Sequence, residues 1–253
     1  MNIIADTHTH TIASTHAYST LQEMIHAAAL KKLYAIAITD HGRSMPGAPG
    51  QWYFENMKVI PRFMEGVLVL RGQETNIIDT DGNIDLEPDS VGRMDWLVAS
   101  IHEEAFRCEK PTVEAVTNAW MNITKNPQIH VIGHSGTKEY EYDFETVIPE
   151  FGRTGKLVEL NEGSFIGRKT SIPNCKKIME LCKKHSVPII INSDSHISAT
   201  VGCFEHSLEL LKELDFPEEL VVNASVDRFH AYLEEYSVVK NDPVFQSKSW
   251  RAK

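Results

Sequence analysis

Six times along the chain a short apolar run ends within a few residues of a side chain that can bind a metal ion. Met1-Asn-Ile-Ile-Ala5 leads into Asp6, His8 and His10, and Ala35-Ile-Ala-Ile-Thr39 leads into Asp40 and His41. Val67-Leu-Val-Leu70 leads into Glu74, Trp96-Leu-Val-Ala-Ser100 into His102, Val131-Ile-Gly133 into His134, and Pro188-Ile-Ile-Ile-Asn192 into Asp194 and His196. Short runs of aliphatic and β-branched residues bounded by polar positions read as buried strands. For ligand-type residues that follow strand after strand to meet, the strands must deliver their C-terminal ends to one face. That is how enzyme barrels of βα units assemble an active site.

Helix-like segments separate these strands. Residues 21–32 follow Ser19-Thr20, which can cap a helix, and place Met24, Ile25, Ala28 and Ala29 on one side. Residues 112–124, 143–151, 174–185, 204–214 and 225–235 carry helical patterns, and residues 56–64 do so across Pro61. Residues 156–160 add a further strand, and 220–223 are at most a short last one. This alternation predicts an α/β fold with a parallel sheet closed or nearly closed into a barrel. With no linker or repeat in 253 residues, one domain over 1–253 is expected, its tail from 237 to 253 irregular. The loops at 42–51 and 79–93 should sit over the barrel mouth.

The spacing of the polar residues carries the chemistry. His8 and His10 are two apart in an extended segment, so both imidazoles can point to one side and bind one ion. Asp194 and His196 repeat that spacing at another strand end, and Glu74 could bridge two ions through its two oxygens. His16, His41, His102 and His134 complete a set of nine candidates. The other histidines, at 26, 185, 206 and 230, fall on helices, and His130 lies too far inside its strand to reach the mouth.

Composition narrows the classes. The net charge of −10 disfavours a broad nucleic-acid surface. No run is long and apolar enough to cross a membrane, and the N-terminus carries an acid and histidines where a secretion signal needs basic and apolar residues. Cys108, Cys175, Cys182 and Cys203 form no CxxC pair. A cytoplasmic protein with reduced thiols is expected.

Taken together, Asp6-Thr-His8-Thr-His10, Ser14-Thr-His16, Thr39-Asp-His41-Gly42, Gly72-Gln-Glu74, His102-Glu103, Gly133-His134 and Ser193-Asp194-Ser195-His196 resemble the PHP (polymerase and histidinol phosphatase) family. The resemblance runs in order over about 200 residues and is strongest to the stand-alone bacterial PHP phosphatases of the YcdX type. It implies a distorted (β/α)7 TIM-like barrel with three divalent ions. His8, His10, Glu74 and Asp194 would bind the first ion, Glu74, His102 and His134 the second, and His16, His41 and His196 the third. Zinc is the foremost expectation, but mixed imidazole and carboxylate also suits manganese or iron, and the lack of thiolate removes the strongest pull towards zinc alone. Asp6 and Asp40 are expected to fix histidine tautomers from behind. Ser135 departs from the family, where proline is usual, and suggests a looser turn.

Two ions bridged by Glu74 would share a hydroxide able to attack phosphorus without a side-chain nucleophile. Phosphate-monoester hydrolysis on a small phosphorylated substrate follows as the expected activity. Arg168, after the 156–160 strand, has the fork geometry to clamp the phosphoryl oxygens. The rivals are a PHP-type nuclease or phosphodiesterase acting on nucleic-acid ends, which would want a basic groove with stacking aromatics, and a non-enzymatic metal-handling protein. An amidohydrolase would want a lysine where His102 stands. No residue specifies an oligomeric state.

Overall fold

The computed structural model describes residues 1–87 and 92–247. Seven parallel strands form a sheet in the order β1 (Ala5–Asp6), β2 (Ala35–Ile38), β4 (Val67–Asn76), β5 (Trp96–Ser100), β6 (Val131–Ile132), β7 (Leu157–Asn161) and β8 (Ile189–Asn192). The register pairs Ala5 with Ala35, Ala35 with Leu68, Val98 with Val131 and Val158 with Ile189. An eighth strand, β3 (Phe63–Met64), lies antiparallel on β4. The expected α/β barrel of seven βα-type strands is therefore present.

Strand pleating divides the core in two. Ala35, Ala37, Leu68, Leu70, Trp96, Val98, Val131, Leu157 and Ile190 belong to one buried cluster, while Ile36, Ile38, Val67, Val69, Leu97, Ala99, Val158, Ile189 and Ile191 belong to another. Alternate residues of one strand face opposite sides of the sheet. The second cluster packs against the surrounding helices α1 (Leu21–Leu30), α3 (Val113–Ile123), α4 (Phe144–Arg153), α6 (Ile172–His185) and α7 (Glu205–Glu213). The first is capped by α8 (Val226–Tyr236), whose Tyr232 hydroxyl donates to the carbonyls of His130 and Gly155, below β6 and β7. Helix α1 begins as the sequence suggests: Thr20 Oγ1 accepts the Glu23 amide at 3.3 Å while Glu23 accepts the Thr20 amide at 2.7 Å.

Three local expectations are revised. Residues 56–64 are not one helix: α2 (Gln51–Asn56) runs into a 3-10 turn (Met57–Val59), and the chain past Pro61 enters β3. The hairpin turns on Glu65 and Gly66, both at positive φ, a geometry matched to strand twist. Residues 220–223 form no strand: they run through 3-10 turns, with a parallel bridge from Val221 to Ile189. The described part of the tail is not irregular: Val238–Asn241 forms a 3-10 turn and α9 (Pro243–Gln246) follows. Val239 and Phe245 bury themselves in the inner core, and Asp242 pairs with buried Arg62, which also binds Asp95. Residues 88–91 of the second expected loop and 248–253 of the tail lie outside the described residues.

The seam between β8 and β1 is closed by a side chain. Fully buried Asn223 donates to the carbonyls of Ala5 and Ile191 at 2.8 and 2.6 Å and accepts the Ile191 amide at 3.1 Å. Nearer the mouth, Asn192 Oδ1 accepts the Thr7 amide at 2.8 Å, and Thr9 and Ser195 form a parallel bridge.

Candidate metal centre

All nine candidate ligands arrive at the C-terminal rim. His8 and His10 follow β1, His16 lies in the next loop, His41 follows β2, and Glu74 sits near the end of β4. His102, His134 and the pair Asp194–His196 follow β5, β6 and β8. Glu74 has the inward parity of Leu68 and Leu70, so the pleat that fills the barrel also aims this carboxylate up its axis.

Glu74 is the hub. Its Oε1 lies 3.2 Å from His8 Nε2, 3.4 Å from His102 Nε2 and 3.1 Å from His134 Nε2, and its Oε2 lies 3.5 Å from His10 Nε2 and 2.7 Å from His41 Nδ1. Asp194 Oδ1 stands 3.2 Å from His10 Nε2 and 3.6 Å from His8 Nε2. The Nε2 atoms of His16 and His41 are 3.3 Å apart, and the His196 ring stacks on both His10 and His16. Among the described residues three groups bring donor atoms within 4.8 Å of one another: His8, His10 and Asp194; His41, Glu74 and His102; and His10, His41 and His196. The grouping differs in detail from the expected one, with His41 also on Glu74 and His10 beside His196.

The electrostatics follow from packing acids and imidazoles together out of water. Burial disfavours charge on His8, but Glu159, Glu74 and Asp194 outweigh it and hold its pKa well above the usual imidazole range. Burial also opposes the Glu74 carboxylate, yet His8, His102 and His41 hold it ionised, well below its ordinary pKa. His10 is pushed well below, by burial and by neighbouring His41, leaving its ring neutral. His8 Nε2, both His10 ring nitrogens, His41 Nδ1, His196 Nε2 and Glu74 Oε2 are buried without a hydrogen bond of good geometry. Buried polar atoms normally find partners, so this convergence of bare nitrogen and oxygen donors fits divalent ions.

The residues that orient the rings are not the expected ones. Asp6 accepts from Ser193 and the Gly202 amide, and Asp40 from Thr11, Ser14 and Tyr53; neither bonds a ring nitrogen. They pin the mouth loops instead. The rings are held by Glu159 Oε1 at 2.8 Å from His8 Nδ1, Asn76 Oδ1 at 2.7 Å from His102 Nδ1, and the Asp194 carbonyl at 2.8 Å from His196 Nδ1. Glu159 was missed in sequence, although a charged residue inside the apolar run 157–160 was a signal. Its other oxygen accepts the His134 amide at 2.8 Å. His134 and Asp194 both adopt positive φ, 26° and 57°, a region that L residues other than Asn, Asp and His rarely occupy. The turn after His134 is well held despite Ser135: the Tyr142 hydroxyl donates to Ser135 Oγ, and Thr137 donates to the His134 carbonyl.

Arg168 stands at the edge of this cluster, donating from Nη2 to Asp194 Oδ2 at 3.1 Å and Asn161 Oδ1 at 2.9 Å. A cavity of about 340 Å3 lies over the centre, bordered by His16, His41, Glu74 and His196. It adjoins a larger one of about 960 Å3, and both share His102, Glu104, His134 and Arg168. His130 lies at the far end, stacked on Trp96, as expected. His26 and His206 pair with Glu65 and Glu162 on the periphery.

A PHP domain family model matches residues 6–163. A protein of Acetivibrio thermocellus described as a probable phosphatase is 45% identical over 234 residues, 92% of this chain and 96% of that relative. A probable phosphatase of Clostridium botulinum is 40% identical over 241 residues, 95% of this chain and 98% of its own. Among solved structures, histidinol phosphate phosphatase from Lactococcus lactis, complexed with zinc, L-histidinol and phosphate, superposes with a TM-score of 0.63 at 17% identity, covering 86% of this chain and 95% of its own.

Proposed function

The chain belongs to the PHP domain family, and from that premise we propose a metal-dependent phosphatase that hydrolyses small phosphomonoesters at a three-ion centre. The observation that carries the reading is one buried carboxylate, Glu74, with five imidazoles between 2.7 and 3.5 Å from its oxygens. Hydrogen bonding cannot satisfy so many donors around one acid. Cations shared between them can.

His8, His10, Glu74 and Asp194 would hold one ion, Glu74 with His102 and His134 a second, and His16, His41 and His196 a third, with zinc the favoured metal and manganese or iron alternatives. When bound, the ions supply the Lewis acidity and the lowered water pKa that phosphate-ester hydrolysis needs. The side chains do the rest. Arg168, anchored on Asp194 and Asn161 through one Nη, keeps its remaining donors for phosphoryl oxygens. Glu159 orients His8 and the His134 backbone together, tying the two walls of the centre to one carboxylate. Asp40 ties the mouth loop at 11–19 to Tyr53 of α2, and Thr15 Oγ1 donates to the Gly47 carbonyl at 2.6 Å, joining that loop to the one at 42–50.

The adjoining cavity suits the organic part of a small ester. Its lining carries Phe106 and Tyr140, and four acids, Glu103, Glu104, Glu109 and Glu139, against two cations, Arg107 and Arg168, a balance that disfavours a polyanionic nucleic-acid strand. We read residues 1–253 as one domain and the protein as cytoplasmic, supported by four cysteines without a disulfide; no helix among the described residues is long and apolar enough to cross a membrane.

Elemental analysis of the purified protein, run beside phosphate release from a panel of monoesters, tests the proposal. About three ions per chain with release that chelation stops is the expected result. Three ions without release from any monoester would overturn the phosphatase reading in favour of a diesterase or a metal carrier. Fewer than two would overturn the three-ion centre.

A further inference from the structure

Asp85, in the loop after β4, is almost wholly buried and pairs with no cation among the described residues. Its Oδ1 accepts from Thr75 Oγ1 at 2.9 Å and the Asn76 amide at 2.8 Å, and its Oδ2 accepts from Asn76 Nδ2 at 2.7 Å and the Ser44 amide at 2.8 Å. One carboxylate thus joins the end of β4 to the loop after β2. The approach is so close that a Cβ at Gly42, next to His41, would fall 2.4 Å from Asp85 Oδ1.

Asn76 carries this arrangement onward. Its Nδ2 faces Asp85 Oδ2 and, at 3.3 Å, the Gly42 carbonyl, so both amide hydrogens have acceptors. A flipped amide would press its oxygen against the Asp85 carboxylate. Oδ1 must therefore be the atom that faces His102 Nδ1 at 2.7 Å, and as an acceptor it requires the proton of His102 to sit on Nδ1. The Nε2 lone pair is then left pointing at the centre, 3.4 Å from Glu74 Oε1.

We propose that Asp85 is a positioning residue that, through Asn76, fixes the tautomer of His102 and so prepares its Nε2 for metal. The inference rests on the metal-centre reading for its purpose, but the tautomer itself does not depend on any ion. Residues that orient ligands from behind commonly alter metal affinity by about 10- to 100-fold.

The test combines long-range 1H–15N correlation spectra of the metal-free protein near pH 8 with titration of that protein by Zn2+ against a competing chelator. In the unaltered protein His102 should be protonated on Nδ1. In Asp85→Asn the Asn76 amide is free to turn, so His102 should shift toward the Nε2–H form and one Zn2+ equivalent should bind about 10- to 100-fold less tightly. Asp79→Asn serves as control, because Asp79 caps its own turn in the same loop through Asp81 and Asn83 without reaching His102; it should change neither readout. If Asp85→Asn fails to fold, Asn76→Ala gives the same comparison while leaving Asp85 its bonds to Thr75, the residue-76 amide and Ser44. A folded variant with His102 still protonated on Nδ1, or with unaltered Zn2+ affinity, would overturn the proposal. A parent protein that binds no Zn2+ would sink the metal-centre reading instead, while the spectra would still report the tautomer.

Discussion

Glu159 Oε1 lies 2.8 Å from His8 Nδ1, and Glu159 Oε2 accepts the His134 backbone amide at the same distance. One buried acid on β7 therefore sets a ring on β1's extension and the strained backbone that carries a second ring after β6. Glu159→Gln keeps the size but removes the charge that favours the His8 proton on Nδ1. Retention of the ion beside His8 should weaken by about 10- to 100-fold. Metal content after dialysis against graded chelator concentrations measures this, and wild-type retention would show that the contact is dispensable.

Arg168 combines an anchored Nη2 with a position between the two cavities. Charge-assisted hydrogen bonds are worth about 1.5–3 kcal/mol, so Arg168→Ala should lower kcat/KM for monoesters by roughly 10- to 100-fold. Metal content should remain normal, because Asp194 retains Asn161 as a partner. Unchanged kinetics would remove Arg168 from the phosphate site.

Ions that bind only the folded centre must stabilise the fold by mass action, by about 2.7 kcal/mol when free metal reaches 100 times its Kd. Chelation should therefore lower Tm as well as abolish phosphate release, and added metal should restore both. If Tm does not respond to metal, the six bare donor atoms at the mouth are not an ion site.

How much of this was legible in the sequence depends on which direction a residue's chemistry faced. His8 with His10, and Asp194 with His196, declared themselves by two-residue spacing at strand ends, and Glu74 by its place after an apolar run. Asp40 misled, because a residue adjacent to His41 in extended chain faces the opposite side and serves the loops through Thr11, Ser14 and Tyr53. Asp6 is bonded to the residues after β8, a partnership no local pattern encodes. Glu159 and Asn76 act across strands, so their partners depend on barrel closure and register. The hairpin at Phe63–Met64 was hidden because the apolar spacing of 56–64 read as helical even with Pro61 interrupting it, and Gly66, which turns the hairpin, fell outside that pattern.

At the opposite end of the barrel, His130 accepts the Leu97 amide on Nδ1 and stacks on Trp96. Burial, with Lys156 nearby, lowers its pKa to about 3, against about 6.5 in the unfolded chain. Between those values the unfolded chain binds more protons, so stability is fully present above about pH 6.5 and falls as pH drops towards 3, by up to about 1.4 kcal/mol per unit. Urea unfolding of the metal-free protein from pH 7 to 4.5 should show this slope. Replacing His130 with Gln should reduce it, leaving the part due to His10 and His134, whose pKa values burial also lowers, and an unaltered slope would assign the acid sensitivity elsewhere.

The last strand-like segment closes the barrel with a side chain instead of a ladder, and this makes Asn223 unusually sensitive to substitution. Its amide serves two carbonyls and one amide on the facing edges of β1 and β8. Asn223→Ala leaves three buried backbone groups without partners and should cost roughly 3 kcal/mol of unfolding free energy. Asn223→Asp should cost more although it is nearly isosteric, since a carboxylate keeps the Ile191 amide but turns negative charge on the Ala5 and Ile191 carbonyls. Chemical denaturation of both variants gives the order directly. If Asp is tolerated better than Ala, the seam is held by packing and the hydrogen bonds are incidental.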